Sequence, residues 1–236
     1  VIGIYGALAT SPLRELVPWD DVHVWWGDDR LVPRDHPLSN CLPLDDVLLE
    51  APGKSGTGAA AIDIRRSAMP GIPLPVLNIH VMPIAEALEG RSAEAAAERV
   101  AEAYATELQA APMARDAAGT PVLDVMLVGV GPDGHVLSVF PGSPLFDSPA
   151  LVSAVPAPEH VAPHVPRVSL SPRFLTASRL PIAVLLGARK ADIAAKVLAG
   201  PRDVRRYPAQ LARRAGAAWF LDEAAAAGLP QRDRGE

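Results

Sequence analysis

Short runs of apolar residues alternate along the chain with longer stretches that have a helical pattern. The apolar runs predict four strands, at residues 22–26, 76–81, 122–128 and 182–186. The helical patterns predict helices at residues 92–111, with Ser92 as the N-cap, at 188–198 and at 222–228. Strands that are apolar throughout and separated by helices are typical of a parallel sheet covered on both faces. We therefore expect an α/β fold with an open, mainly parallel sheet, in a single domain of residues 1–236.

Two stretches rich in proline and glycine predict loops, at residues 52–58 and 156–166. The first contains Gly-Lys-Ser but lacks the first glycine of a P-loop at the required spacing, and no apolar strand precedes it. We therefore expect a surface loop there rather than a nucleotide site.

Composition narrows the classes of partner. Hydrophobic residues make up 49% of the chain and charged residues 21%, which is enough apolar material for a buried core. A net charge of −5 argues against a nucleic-acid partner. No run reaches the roughly 18 apolar residues that cross a bilayer, so we expect no membrane partner.

Cysteine and histidine usage also excludes several kinds of site. Cys41 is the single cysteine of the sequence, which excludes an internal disulfide and a site with several cysteine ligands. The six histidines show no spacing typical of a metal site, so we expect no metal. The single cysteine and the lack of a run that crosses a bilayer predict a cytoplasmic protein. We expect a monomer or weak dimer.

Polar residues follow the first predicted strand, where ligands of open α/β sheets bind. The sequence there is Gly-Asp-Asp-Arg, ending at Arg30, and Ser39-Asn40 follows after a short interval. Taken alone, this pattern favours a turn with a surface ion pair. The functional alternative places Asp28 and Arg30 in a cleft, where a carboxylate and a guanidinium meet a polar substrate.

A second polar segment, Gly-Val-Gly-Pro-Asp-Gly-His, follows the third predicted strand. Gly131 and Gly134 would allow the backbone to approach a ligand closely. His135, with Asp133 two residues before it, could act as a general base. A structural histidine held by a hydrogen bond explains the same residues equally well, so both interpretations stay open at this point.

Two cations, Arg167 and Lys190, complete the candidates. Most such side chains are simply solvated. Lys190 nevertheless falls at a junction between a predicted strand and a helix, where anions are favoured. The two side chains could converge on a phosphate or a carboxylate.

These motifs, in this order, resemble the 6-phosphogluconolactonase family. The matching segments are Trp-Trp-Gly-Asp-Asp-Arg-Leu-Val-Pro with Ser-Asn, Gly-Val-Gly-Pro-Asp-Gly-His-Val-Leu-Ser-Val-Phe-Pro-Gly, Arg-Val-Ser-Leu and Gly-Ala-Arg-Lys-Ala. The resemblance runs from about Val1 to Leu229. Related glucosamine-6-phosphate deaminases share the glycine-rich segment but diverge after its histidine, and they have Asp-Glu-Tyr where the lactonases have Asp-Glu-Arg. Arg30 and the Phe-Pro-Gly ending therefore favour the lactonases. Asp29 stands where the family usually has glutamate.

The resemblance implies hydrolysis of 6-phosphogluconolactone to 6-phosphogluconate, a step of the oxidative pentose phosphate pathway, without a cofactor. It implies that His135 activates water, that Asp133 orients the site and that Asp28 belongs to the catalytic set. The implied substrate-binding residues are Arg30, Ser39, Asn40, Gly131, Gly134, Arg167 and Lys190. Of these, Arg167 and Lys190 would hold the phosphate.

The opening residues Val-Ile-Gly-Ile-Tyr-Gly-Ala-Leu resemble the helix that follows the phosphate loop of this family. We therefore expect the family's first strand and its Gly-Gly-Ser-Thr-Pro loop to precede Val1 in the whole protein. Two alternatives to the lactonase stay open. One is a sugar-phosphate isomerase or deaminase of the same fold, with Asp28 as the base, and the other is a non-catalytic sugar-phosphate sensor.

Overall fold

The computed structural model of the chain describes residues 2–49 and 71–230. The loop predicted at residues 52–58 lies outside these ranges. Within them, no helix combines the length and the apolar character that crossing a bilayer requires.

The chain divides into two compact units. The first lies within Val1–Ala101 and Ala154–Val168, and the second within Glu102–Ser153 and Ser169–Glu236. The expectation of a single domain stays a prediction.

Helices and strands alternate along the described residues, as an α/β fold requires. In chain order the helices are α1 (Ile2–Leu8), α2 (Leu13–Leu16), α3 (Leu42–Val47), α4 (Ile84–Leu88), α5 (Ala93–Ala110), α6 (Arg173–Ala177), α7 (Ala191–Leu198) and α8 (Glu223–Ala226). The strands are β1 (Val24–Trp25), β2 (Asp28–Arg30), β3 (Ile79–His80), β4 (Val125–Gly129), β5 (Val152–Val155), β6 (Arg167–Leu170), β7 (Leu180–Leu185) and β8 (Ala218–Leu221).

Strands pair in parallel in two of the described sheets. In the first unit, β1 pairs with β3 so that Trp25 lies opposite His80. In the second unit the order is β4-β7-β8, with Leu127 opposite Ile182 and Ile182 opposite Ala218. A further sheet has the order β2-β6-β5. The expected α/β class with parallel strands is confirmed, although the described strands form three small sheets instead of one.

Helix α5 shows how the sequence determines local structure. Its N-terminus is capped as predicted, because the Ala95 amide donates to the Ser92 hydroxyl at 3.3 Å. Val100, Tyr104 and Leu108 are completely buried. Their spacing of four residues places them on one face of the helix, so this face packs into the core while glutamates occupy the others.

The core of the second unit lies around β4 and β7. Met126 and Val128 of β4 are buried, whereas Val125 is 54% exposed. This alternation differs from the prediction of strands buried on both faces. The side chains of Phe174 in α6 and Val197 in α7 are fully buried in the same unit.

Several element boundaries differ from the predictions. The strand predicted at residues 76–81 begins as a 3₁₀ turn at Val76–Asn78, and only Ile79–His80 is paired. Prolines at positions 75 and 83 flank this segment, and proline cannot donate to a ladder. The helix predicted at 188–198 likewise begins with a 3₁₀ turn, Ala188–Lys190.

Candidate active site

The turn after β4 holds the predicted catalytic residues in a closed arrangement. The Gly131 amide donates to the His135 carbonyl at 2.9 Å, and the Gly134 amide donates to the Gly131 carbonyl at 3.1 Å. Gly134 has a φ of +87°, which only glycine adopts without strain. Both glycine amides are therefore used within the turn, and the two residues contribute its shape.

Gly131 is also required by the space that His135 occupies. A Cβ atom at Gly131 would lie 2.1 Å from both Nδ1 and Cε1 of the His135 ring. Real side chains do not approach so closely, so the ring position depends on the absence of a side chain at residue 131.

Asp133 fixes the orientation of the His135 ring. Nδ1 of His135 lies 2.5 Å from Oδ1 of Asp133, and the His135 amide donates to the same oxygen at 3.1 Å. An ionised carboxylate can only accept hydrogen bonds, so Nδ1 carries the proton. Nε2 then carries the lone pair that a general base needs.

The side chain of His135 is largely buried but keeps some exposure to solvent. The side chains of His135 and Asp133 are 15% and 18% exposed, and the Phe140 ring lies 4.7 Å from the imidazole, centroid to centroid. Within the part of the chain that the structure describes, no hydrogen bond to Nε2 occurs. Nε2 is therefore not occupied by another group of the described residues.

Backbone strain occurs just beyond the histidine. Leu137 has a φ of +57°, an uncommon conformation for a residue with a branched side chain. The turn is closed by the Val139 amide, which donates to the Val136 carbonyl at 3.0 Å. Strain of this kind is concentrated at functional sites in many proteins, and the surrounding hydrogen bonds maintain it.

Lys190 reaches the same turn from the start of α7. Its Nζ atom donates to the Val130 carbonyl at 2.5 Å. Partial burial and the neighbouring Arg189 lower the pKa of Lys190, while Asp133 acts in the opposite direction. The amine therefore contacts the residue before Gly131, and its charge interacts with that of Asp133.

In the first unit, β2 carries a second group of predicted residues. Nη1 of Arg30 donates to the Asn40 side-chain oxygen at 2.8 Å and to the Leu38 carbonyl at 2.9 Å. Nδ2 of Asn40 donates to the Asp28 carbonyl at 2.8 Å and to its carboxylate at 3.2 Å. The structure thus joins Asp28, Arg30 and Asn40 in one hydrogen-bonded set, called the binding cluster below.

One donor of the binding cluster has no partner within residues 2–49 and 71–230. Nε of Arg30 is buried and makes no hydrogen bond there. A buried donor of this kind is costly unless an acceptor satisfies it. A ligand that brings an anionic or hydroxyl oxygen would do so.

Ser39 and Arg167, two of the predicted substrate-binding residues, are buried. Ser39 is 3% exposed, and its hydroxyl donates to Asp29 at 3.1 Å. Arg167 begins β6, is 2% exposed, and donates through Nη2 to the Pro163 carbonyl at 3.1 Å. Their roles in substrate binding stay predictions.

Sequence reasoning missed Asp29 as a member of the site. Asp29 is 2% exposed, and burial raises its pKa to about 6. Side chains of a strand alternate in direction, so Asp28 and Arg30 point away from the side to which Asp29 points. That alternation was visible in the sequence, but β2 was interpreted as a turn.

Within the described ranges, no group of three or more His, Cys, Asp or Glu side chains could hold a metal ion.

Comparison with known proteins gives the family. A family model described as glucosamine-6-phosphate isomerases/6-phosphogluconolactonase matches residues 1–220. The 6-phosphogluconolactonase of Streptomyces coelicolor is 33% identical over 232 residues, which cover 97% of this chain and 78% of that protein. The 6-phosphogluconolactonase of a Nostoc species is 31% identical and covers 97% of this chain and 84% of its own length.

A solved structure agrees with the sequence relatives. The 6-phosphogluconolactonase of Trypanosoma brucei superposes with a TM-score of 0.75 at 27% identity, covering 97% of this chain and 82% of that one. The resemblance found in the motifs is therefore confirmed along nearly the whole sequence. The chain belongs to the glucosamine-6-phosphate isomerase/6-phosphogluconolactonase family.

Proposed function

We propose that the chain hydrolyses 6-phosphogluconolactone to 6-phosphogluconate, with His135 as the general base. The observation that carries the proposal is the 2.5 Å contact between His135 Nδ1 and Asp133, which leaves Nε2 as the basic nitrogen. Relatives named 6-phosphogluconolactonase match the chain over 97% of its length. These names support the choice of substrate, and the geometry supports the assignment of the base.

The reaction needs one water and one proton carrier. Nε2 of His135 takes a proton from water as the water oxygen bonds to the lactone carbonyl carbon. The resulting tetrahedral oxyanion then expels the ring oxygen, which receives the proton back from Nε2. Asp133 stabilises the imidazolium that exists between these steps, because it accepts the Nδ1 hydrogen throughout.

Binding of the substrate is assigned to the two groups of polar residues. The guanidinium of Arg30 and the side chains of Asn40 and Asp28 offer donors and acceptors that suit a polyhydroxylated ring. Lys190 has three N–H donors, of which one goes to the Val130 carbonyl. We assign the remaining donors to the phosphate. Binding energy from the phosphate would orient the lactone for attack.

The test measures the decay of freshly generated 6-phosphogluconolactone, with the released 6-phosphogluconate oxidised by a coupled dehydrogenase. Spontaneous hydrolysis of the lactone is subtracted from every rate. We expect acceleration by the wild-type protein and a loss of about 10²–10⁴-fold in kcat for His135→Ala. His23→Gln is the matched control, because His23 is exposed and bonds His80 rather than a site residue.

Two outcomes would contradict the proposal. If the wild-type protein does not accelerate the decay, lactone hydrolysis is wrong. Turnover of glucosamine 6-phosphate or ribose 5-phosphate would then indicate deamination or isomerisation, and binding of 6-phosphogluconate without turnover would indicate a sensor. If His135→Ala is as active as His23→Gln, the general base is another residue.

A further inference from the structure

Asp29 lies between the two segments that form the binding cluster. Its Oδ1 atom accepts from the Arg30 amide at 2.8 Å and from the Asn40 amide at 2.7 Å. Its Oδ2 atom accepts from the Ser39 hydroxyl at 3.1 Å and lies 3.4 Å from the Cys41 sulfur. One carboxylate therefore joins β2 to residues 39–41 through four donors.

This arrangement determines where Arg30 and Asn40 stand relative to each other. The Arg30 guanidinium contacts the Asn40 side chain, and Asn40 in turn contacts Asp28. Each of these contacts crosses from β2 to the 38–40 segment. The relative position of the two segments, and hence the shape of the binding cluster, depends on the residue that holds both backbones.

Within the described ranges, 2–49 and 71–230, no cation forms a hydrogen bond with the Asp29 carboxylate. The nearby guanidinium of Arg34 is paired with Asp45 instead, through contacts of 2.6 and 2.5 Å. The charged groups that face Asp29 are Asp28 on its own strand and Arg34, and Cys41 is a buried neutral thiol. A buried carboxylate without a paired cation lowers stability, so its presence requires a compensating role.

We propose that Asp29 is a positioning residue of the binding cluster: its carboxylate holds the backbones of Arg30 and Asn40 in the arrangement that binds the sugar phosphate. This inference rests on the proposed function for the identity of the ligand. In this role Asp29 acts through Arg30 and Asn40, without contacting the substrate.

Asp29→Asn tests the role because it keeps the shape and removes the charge. An amide has an acceptor at one end and a donor at the other. Whichever way it turns, a donor faces either the two backbone amides or Ser39 and Cys41. The variant thus loses about half of the four contacts, and the binding cluster loosens without a cavity.

The control is Asp45→Asn, the same change at an equally buried carboxylate of the same unit. Asp29 and Asp45 are both 2% exposed, but Asp45 bonds Arg34 rather than a member of the binding cluster. The experiment measures kcat, KM and the thermal transition of both variants and of the wild-type protein. Calorimetric binding of 6-phosphogluconate gives a second readout that needs no turnover.

For Asp29→Asn we expect KM and the dissociation constant of 6-phosphogluconate to rise about tenfold, with kcat within about twofold and the thermal transition unchanged or higher. For Asp45→Asn we expect the reverse, a lower thermal transition with KM within about twofold. If Asp29 had only a structural role, Asp29→Asn would lower the thermal transition and would not raise KM selectively over kcat.

The pH dependence supplies a signature specific to Asp29. Because burial raises the pKa of Asp29 to about 6, the wild-type residue becomes neutral in mild acid, as the variant always is. The ratio of the variant's KM to the wild-type KM should therefore fall from about ten at pH 8 towards one at pH 5. Taking the ratio cancels the titration of the substrate phosphate.

The inference is overturned if KM and ligand affinity of Asp29→Asn stay within twofold of the wild-type values. It is also overturned if the variant does not fold, or if Asp45→Asn raises KM equally. An inactive wild-type protein would instead overturn the proposed function. Affinity for 6-phosphogluconate would still decide the role of Asp29 in that case.

Discussion

Replacing Gly131 by alanine should displace His135, the proposed general base, while leaving the rest of the turn intact. The added Cβ would meet Nδ1 and Cε1 of His135 at 2.1 Å, whereas an ordinary contact begins near 3.4 Å. The ring must therefore move by about 1.3 Å, the difference of these two distances. Gly131 does not have a positive φ, so alanine adds no backbone strain of its own.

The magnitude follows from what holds the ring. His135 is bonded to Asp133 at 2.5 Å and packs against Phe140, so it cannot swing away without breaking the bond to the carboxylate. A displacement of that size lengthens the contact beyond hydrogen-bond range. Misplacement of a catalytic group by about 1 Å costs on the order of 10²-fold in rate. We expect kcat to fall by about this factor, with KM changed much less.

The assay is the coupled measurement of lactone hydrolysis, with Gly129→Ala as the matched control. Gly129 lies two residues away, at the end of β4, and a Cβ built there meets nothing within 4 Å. The control should therefore keep full activity. If Gly131→Ala retains more than about a third of the wild-type kcat, or if Gly129→Ala loses as much, the packing argument is wrong.

The remaining predictions concern charges of the site. Asp133→Asn keeps an acceptor for His135 but not the charge that stabilises the imidazolium, so kcat should fall about a hundredfold with KM unchanged; an unchanged kcat would exclude that role. Lys190→Met removes the proposed phosphate ligand, and KM should rise at least tenfold in the coupled assay, whereas an unchanged KM would contradict the assignment. The folded state raises the pKa of Asp29 from 3.8 to about 6, so the native protein binds a proton that the unfolded chain has released. Its stability should therefore decrease by roughly 2 kcal/mol more than that of Asp29→Asn as the pH rises from about 4 to 6.5, measured by urea unfolding; parallel pH profiles would contradict this.

The sequence predicted those parts of the fold in which local pattern and tertiary packing agree. Helix α5 follows from its alanine content and Ser92 cap, and the structure differs from the prediction by one residue at each end. The strand predicted at 182–186 overlaps β7, in which Ala183 and Leu185 are buried in the core. In these elements each residue's intrinsic preference matches its surroundings.

Two of the strands that were missed, β2 and β6, contain polar residues in buried positions. Strand β6 reads Arg-Val-Ser-Leu, and all four residues are buried. Its polarity is compensated by contacts that the sequence does not display, such as the Ser138 amide, which donates to the Ser169 hydroxyl at 3.2 Å. Strand β2, Asp-Asp-Arg, resembles a turn for the same reason. Satisfaction of buried polar groups is a tertiary property, so local patterns cannot reveal it.

In the candidate site, too, contacts between residues close in sequence could be predicted, whereas contacts between distant residues could not. Asp133 and His135 are two residues apart, so their contact could be expected from sequence, and the structure shows it at 2.5 Å. The contact of Lys190 with the Val130 carbonyl spans 60 residues. The role of Asp29 depends on the return of residues 39–41 to β2. Contacts of long sequence separation follow from topology, and motif spacing does not specify them.

The choice between hydrolysis and isomerisation depends on which side chain is available as a base. Isomerisation or deamination would require Asp28 to carry a proton between substrate atoms, but its carboxylate accepts from the Asn40 amide, and Asn40 is held in turn by Arg30. A carboxylate with such a partner is suited to binding a hydroxyl. His135 has the opposite arrangement, since Asp133 occupies Nδ1 and directs the basic Nε2 outwards. A water that attacks a carbonyl needs only this one nitrogen, so the geometry favours hydrolysis within a family whose members include both reaction types.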